Sequence, residues 1–320
     1  MAYDKERFQL EQPTLAKLFI NARKYKRLSH AYLLYGEPSS PLLESALFLV
    51  KSLECEQDIL SCGNCPSCKR FAEGIHPDFI LIDGKDKLIR KTDIDALDDF
   101  FSMTALEKNH ISAYVINHVE NITEEAINAL LKTLEEPSGN TVAFLTTDNR
   151  DKVLPTILSR AQPIEVKSPD LDKLLNDYRG EEDLKEFYLV SSFVYDEEEK
   201  INIIASKEFT SAFEAALDYL HALVKENGKA TYVLMHQAGE NLRGNKCYNY
   251  FYSILSTVFS KALLGNDQSV LKDLTSGLER FRDVLPKAIK LLDEEEGKSQ
   301  ANMNFTLALA RLGMIMEGRT

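Results

Sequence analysis

Five short apolar runs in the first half of the chain alternate with segments of helical periodicity, and this alternation limits the possible folds severely. The runs cover residues 31–35, 79–82, 113–116, 142–145 and 163–166. Short buried strands separated by helices are typical of parallel sheets with helical crossovers. The sequence therefore predicts an α/β domain of the nucleotide-binding type over residues 1–166.

The remaining residues have helical patterns and no further strand signal. Pro169 and Asp170 mark a boundary and a helix start after the fifth apolar run. We expect a small helical domain over residues 167–208 and a larger all-helical domain over residues 209–320. A chain of 320 residues is long enough for two or three such domains.

Composition restricts the classes of partner. The chain has 38 Lys and Arg against 50 Asp and Glu, a net charge of −12, whereas independent nucleic-acid-binding domains usually present a basic surface. A short basic cluster is better explained as a solvated helix face than as a nucleic-acid contact: Arg23, Lys24, Lys26 and Arg27. No apolar stretch approaches 18 residues and the start lacks a signal-peptide pattern, so we expect a cytoplasmic protein with no membrane contact.

Four of the five cysteines lie close together in the spacing C-x6-C-x2-C-x2-C: Cys55, Cys62, Cys65 and Cys68. Two C-x2-C turns and one more thiolate can complete a tetrahedral Zn²⁺ site, and four thiolates leave no open position for catalysis. Disulfides are the weaker alternative in a reducing compartment. His76 could replace one ligand but is the poorer candidate, and the isolated Cys247 is expected to be a buried small side chain.

The segment after the first apolar run lies where a P-loop would bind phosphate, but it lacks most of the residues with which a P-loop binds phosphate and Mg²⁺. Gly36 fits the first glycine of G-x-x-x-x-G-K-[ST], whereas Pro41 replaces the second glycine, Leu42 the lysine and Leu43 the hydroxyl residue. Pro41 offers no N–H, Leu42 no charge and Leu43 no Mg²⁺ ligand. The sequence predicts that the chain binds no ATP.

The end of the third apolar run also lacks the residues that an ATP site needs. This run ends where a Walker B strand would present an Asp and a Glu, and Asn117 and His118 stand there instead. Asn is a poor substitute for an Asp ligand of Mg²⁺, and His does not replace the Glu that polarises water. Two degenerate motifs at matching positions predict a nucleotide site that does not hydrolyse ATP.

Several longer motifs resemble one family. They are SHAYLLYG at 29–36, the four cysteines, HPDF at 76–79, AINALLKTLEEP at 126–137, FLTT at 144–147 and LPTILSR at 154–160. Together they resemble the delta-prime family of clamp-loader subunits of bacterial DNA polymerase III, in the AAA+ superfamily. The resemblance is dense over about residues 12–166 and thin over 170–300. It implies an AAA+ domain with an inserted zinc module at 55–68, a helical lid at 167–208 and an oligomerisation collar at 209–320.

The resemblance also implies a role for one arginine. In clamp loaders a Ser-Arg-Cys motif places an arginine finger in the ATP site of the neighbouring subunit, and Ser159 and Arg160 match its first two positions. Ala161 stands in place of the cysteine, which leaves the guanidinium in place. The implied partners are the ATPase and delta subunits, and through the complex the sliding clamp and primed DNA. Two alternatives remain open: an active clamp-loader ATPase, and a zinc-dependent nucleic-acid-binding module.

Overall fold

The computed structural model describes residues 3–75, 78–104, 111–137, 140–172, 184–225, 229–238, 242–265, 269–296 and 304–318. The chain forms two compact units, Met1–Pro169 and Asp170–Thr320. The first boundary that the sequence predicts, at residue 166, lies three residues from the division between these units.

The first unit is built on a parallel sheet. Its described strands are β1 (Ala31–Tyr35), β2 (Phe79–Asp83), β3 (Ser112–Asn117), β4 (Thr141–Thr147) and β5 (Gln162–Glu165). They are ordered β2-β3-β4-β1-β5, and each neighbouring pair is parallel. The five apolar runs coincide with these strands, so the predicted α/β architecture is confirmed.

Burial along the strands follows their positions in the sheet. All seven residues of the central strand β4 are buried, whereas the edge strands β2 and β5 are only partly covered. Pro163 lies in β5, which pairs with β1 at the edge of the sheet formed by the described strands, and an edge strand tolerates the missing N–H of proline. The continuous apolar character of the central strands is what burial on both faces requires.

Helices cover the sheet. They are α1 (Lys5–Glu11), α2 (Pro13–Lys24), α3 (Leu42–Leu53), α4 (Pro66–Ala72), α5 (Lys91–Thr104), α6 (Glu124–Glu135) and α7 (Pro155–Leu158), with 3-10 turns at Val119–Asn121 and Arg150–Lys152. Helix α3 packs against β1, β3 and β4. Helices α5 and α6 contribute to a single apolar cluster with one face of the sheet.

The strand order places the topological switch point of the sheet at the carboxyl ends of β1 and β4. From β1 the chain passes to β2 at one edge of the sheet, and from β4 it passes to β5 on the other side of β1. Ligands of open α/β sheets bind where the connections diverge in this way. The segment after β1 and the ends of β3 and β4 are therefore the places where a nucleotide site would form.

The second unit is helical throughout its described residues. Its helices are Leu184–Ser191, Glu197–Ile204, Lys207–Val224, Ala230–Tyr232, Asn245–Leu264, Lys272–Thr275, Leu285–Glu296 and Phe305–Met316, with a π-helical turn at Val233–Ala238 and a 3-10 turn at Glu279–Phe281. One apolar cluster extends from Tyr188 to Met316. The predicted all-helical C-terminal part is confirmed, while its division into lid and collar at residue 208 stays a prediction. None of the described helices is long and apolar enough to cross a membrane.

Candidate functional site

The four clustered cysteines, which lie between α3 and β2 along the chain, come close together in space. Their sulfur atoms all lie within 4.8 Å of one another. Cys65 is the N-cap of α4, and its Sγ accepts a hydrogen bond from the backbone N–H of Cys68 at 3.5 Å. In the same way Cys62 Sγ accepts from the N–H of Cys65 at 3.4 Å. The two C-x2-C turns thus direct their sulfurs inward and support them with backbone donors.

The donor set fits Zn²⁺. All four thiols are free of disulfides, and four thiolates satisfy the tetrahedral coordination of structural zinc. Burial by itself raises the pKa of Cys65, but hydrogen bonds from the backbone of Cys68 and Glu56 and from Cys68 Sγ lower it to about 6. This favours the thiolate of Cys65, whereas burial raises the pKa of Cys68 to about 12. The cluster could hold a metal ion and is consistent with structural zinc, whose binding would fold the module and supply no reactive group.

The predictions for Cys247, His76 and the basic cluster have different outcomes. Cys247 is buried in the helical second unit, as predicted. His76 lies outside the described residues. Arg23, from the basic cluster, turns inward: its Nη1 donates to the carbonyl oxygens of Ser52 and of Ile59, the latter at 2.9 Å. Arg23 therefore joins α2 to the segment preceding the C-x2-C turns, which is a structural role.

The loop after β1 closes on itself. A Cβ added to Gly36 would lie 2.5 Å from the carbonyl oxygen of Val166 and 2.6 Å from Ser40 Oγ, so the backbone passes too close for any side chain. The N–H of Gly36 donates to Thr147 O, and that of Ser40 to Glu37 O. These two amides are bound within the chain and are therefore not free to bind a phosphate.

Hydroxyl groups complete this closure. Ser168, just after β5, contacts Ser39 Oγ and Ser40 Oγ at 3.0 Å each and donates to Glu37 Oε2 at 3.0 Å. The N–H of Glu37 in turn donates to Ser40 Oγ at 3.0 Å. The carboxylate of Glu37 belongs to this network, and it would repel an anionic ligand.

The replaced P-loop residues are part of the packing. Pro41 is the N-cap of α3, Leu42 is 6% exposed, and Leu43 is half-buried. Neither Leu42 nor Leu43 carries a hydroxyl or ammonium group. The start of this helix therefore contributes apolar side chains where a nucleotide site needs charge.

The end of β3 is likewise committed to contacts within the chain. Asn117 is buried; its Nδ2 donates to Asp83 Oδ1 at 2.9 Å, and its Oδ1 accepts from Thr146 Oγ1 at 2.6 Å. Thr147 Oγ1 accepts from the N–H of Asn149 at 3.1 Å. Thr147 thus binds a local backbone group, whereas Thr146 binds the end of the neighbouring strand β3. His118 follows with a left-handed φ of 53° and contacts Glu120 Oε1 through Nδ1 at 3.1 Å.

Arg160 lies just beyond α7, next to Ser159. Its Nε donates to Glu135 Oε1 at 2.7 Å, and its Nη2 contacts the same oxygen. Its Nη1 donates to Thr156 O at 2.9 Å and to Ser159 Oγ at 3.2 Å. About a third of the side chain, 32%, is exposed. The guanidinium is held at the surface by the last turn of α6, the helix that contains most of the AINALLKTLEEP motif.

Comparison with known proteins identifies the family. The family model described as DNA polymerase III, delta subunit, matches residues 11–170. The DNA polymerase III subunit delta' of Bacillus subtilis (strain 168) is 34% identical over 229 residues, which is 71% of this chain and 69% of the relative. The chain belongs to the delta-prime family of DNA polymerase III subunits. This membership confirms the predicted family and, at the coarse level, the prediction of a clamp-loader subunit.

Two further similarities are more distant. The DNA polymerase III subunit tau of Salmonella typhimurium (strain LT2) is 32% identical over 156 residues, 48% of this chain and 24% of the relative. A solved structure of a DNA polymerase III gamma subunit-related protein from Thermotoga maritima is 19% identical, covers 95% of this chain and 99% of its own, and gives a TM-score of 0.49.

Sequence analysis of this delta-prime family member missed several polar residues around the sheet edge. Ser168, Asp83 and Asp148 each end or follow a strand, and the strands are parallel. Because the carboxyl ends of parallel strands meet at one edge, the position of these polar residues was the available signal. The hydrogen-bond partners of these residues depend on the order of the strands in the sheet, which the apolar runs in the sequence do not determine.

Proposed function

We propose that this delta-prime family member binds no ATP and supplies Arg160 to the ATP site of a neighbouring clamp-loader subunit. The observation that supports this proposal most strongly is the closed loop after β1, where Glu37, Ser40 and Ser168 form hydrogen bonds with one another. Opening this network to admit a triphosphate would break several hydrogen bonds and place the ligand beside a carboxylate.

The in-trans role rests on the position and chemistry of Arg160. A guanidinium stays charged at any physiological pH and can bind phosphate oxygens with two donors. An arginine supplied from a neighbouring subunit stabilises the charge that develops during phosphoryl transfer. Arg160 is partly exposed, and its protein partner Glu135 is itself 52% exposed, so the side chain can exchange this partner for a phosphate.

By its family, the chain would contribute geometry and charge to the loader rather than a reaction. Its neighbours would be an ATPase subunit and the delta subunit, and the assembled complex would open the sliding clamp and place it on primed DNA. The alternative of a nucleic-acid-binding zinc module gains no support, because Arg23 is used inside the fold. The alternative of an active ATPase is opposed by Leu42 and Leu43 at the start of α3.

Titration of ATP with Mg²⁺ into the isolated chain tests the first half of this proposal. We expect no binding tighter than a Kd of about 1 mM, because the loop amides and hydroxyls are already paired. Calorimetry measures this, with Mg²⁺ alone as the blank and an ATPase subunit of the loader as the positive control. Binding in the micromolar range would contradict the closed loop and favour the active-ATPase alternative.

Replacing Glu135 with glutamine examines how Arg160 is held. Because the ion pair is exposed, we expect Glu135→Gln to change the free energy of unfolding by less than about 1 kcal/mol. ATP hydrolysis by the reconstituted loader should stay at the wild-type level or rise, since the guanidinium is freed for phosphate. The neighbouring exposed Glu136 provides the control variant Glu136→Gln. A large loss of hydrolysis in Glu135→Gln alone would mean that the pair itself is needed in the assembled state.

A further inference from the structure

A second group of potential metal ligands lies at the carboxyl ends of β3 and β4. His118, Glu120 and Asp148 each offer one ligand atom, and these atoms all lie within 4.8 Å of one another. His118 Nδ1 is 3.1 Å from Glu120 Oε1 and 3.9 Å from Asp148 Oδ2. The group shares no residue with the cysteine cluster or with the closed loop.

The backbone holds these residues in place. His118 follows β3 with a left-handed φ, and the 3-10 turn Val119–Asn121 then brings Glu120 back toward the imidazole. The N–H of His118 donates to Thr146 Oγ1 at 3.3 Å, which ties this turn to β4. Asp148 comes directly after β4. The cluster is therefore built on two neighbouring strands of a rigid sheet, which is the kind of support that precise sites need.

One buried oxygen of the cluster has no partner. The side chain of Glu120 is only 5% exposed, and its Oε2 is fully buried without a hydrogen-bond partner, while Oε1 is engaged by His118. A buried carboxylate oxygen left unpaired costs free energy unless a donor or a cation reaches it. The nearby Asp148 adds a second carboxylate, whose Oδ2 lies 3.9 Å from His118 Nδ1. Two carboxylates in contact are stabilised together by a cation.

We propose that His118, Glu120 and Asp148 form a binding site for a divalent transition-metal ion at the end of β3 and β4. One imidazole nitrogen and two carboxylates make a mixed N/O set that suits Mn²⁺ or Zn²⁺ better than the all-oxygen sets of Mg²⁺ and Ca²⁺. The ion would satisfy Glu120 Oε2 and neutralise both carboxylates. This site needs neither Arg160 nor ATP, so it stands or fails independently of the proposed function.

Mn²⁺ is the appropriate probe because a four-thiolate site favours zinc, whereas N/O ligands accept manganese. The full chain, loaded with one Zn²⁺ and freed of excess metal and nucleotide, is titrated with Mn²⁺ while electron paramagnetic resonance measures the free ion. We expect one Mn²⁺ bound per chain, with a nitrogen hyperfine coupling from the imidazole. No binding up to about 1 mM Mn²⁺, or binding without nitrogen coupling, would overturn the proposal.

Three variants make the test specific. Asp148→Asn is expected to weaken Mn²⁺ binding at least about 10-fold, a loss that outer-shell changes alone already produce. Asp151→Asn, which removes an exposed carboxylate three residues along, should bind as the wild type does. His118→Asn should abolish the nitrogen coupling and keep the fold, because Asn tolerates a left-handed φ. Equal binding by wild type, Asp148→Asn and His118→Asn would show a non-specific site and refute the assignment.

Discussion

Arg160→Ala is expected to slow ATP hydrolysis at the neighbouring site of the reconstituted clamp loader by about 1,000-fold or more. The guanidinium would stabilise charge on the transferred phosphoryl group, and alanine leaves that charge to water. Clamp loading should fall with it, while the variant still assembles. Single-turnover hydrolysis and clamp loading on primed DNA measure the two effects.

Two controls separate this role from a structural one. Arg90→Ala removes an exposed arginine of the same unit and should leave hydrolysis unchanged. Arg160→Lys retains the positive charge but loses the two-pronged donor geometry, so we expect partial activity. The contacts of Arg160 with Glu135 and Thr156 are partly exposed, and the melting temperature of Arg160→Ala should therefore change little. Wild-type hydrolysis by an assembled Arg160→Ala loader would refute the in-trans role.

Cys65→Ser is expected to release zinc and unfold the module between α3 and β2. The buried cluster of this module consists of Cys55, Cys65 and Cys68, with Cys62 packed beside them, so there is little apolar core to replace the metal. Binding free energies of structural Zn²⁺ are about 10–16 kcal/mol, and in such modules much of this is folding free energy. Metal analysis and hydrogen exchange over residues 54–75 measure the loss.

The sheet should survive this change. Its apolar cluster is formed by the strands with α5 and α6 and contains no cysteine. Amides of β1, β3 and β4 should therefore stay protected from exchange in Cys65→Ser. Cys247→Ala, a buried cysteine of the second unit, is the matched control and should retain one Zn²⁺ per chain. Full zinc content in Cys65→Ser would mean that another residue completes the site.

Much of the first unit could be predicted from local sequence. Four of the five runs hold four or five consecutive apolar residues, which can be buried only in a short strand or a helix, and the flanking turns decide between these. The fifth run includes Glu165 and lies at the edge strand β5. The C-x2-C spacing likewise brings its own sulfurs together, since the turn lies within a few residues. Family motifs extended this reading to the clamp loader, although the arginine role itself stays a prediction.

Contacts between residues that are distant along the chain could not be predicted in the same way. The basic run at the end of α2 has the pattern of a solvated surface, yet Arg23 is bound to the carbonyl groups of Ser52 and Ile59, which are 29 and 36 residues away. Glu135 and Arg160 are 25 residues apart, and each has the pattern of an ordinary surface residue. Sequence periodicity describes which face is buried, but it does not say which distant residue lies opposite.

The amino-acid sequence by itself determined the strands, the cysteine site and the loss of the phosphate-binding residues, because each depends on residue types close together along the chain. Tertiary structure alone decided which polar groups surround the loop after β1. Ser168 reaches Ser39 across 129 residues, and Asp148 joins His118, because β1 lies between β4 and β5 and β3 lies beside β4. The order of parallel strands sets which carboxyl ends meet, and that order comes from the packing of the whole unit.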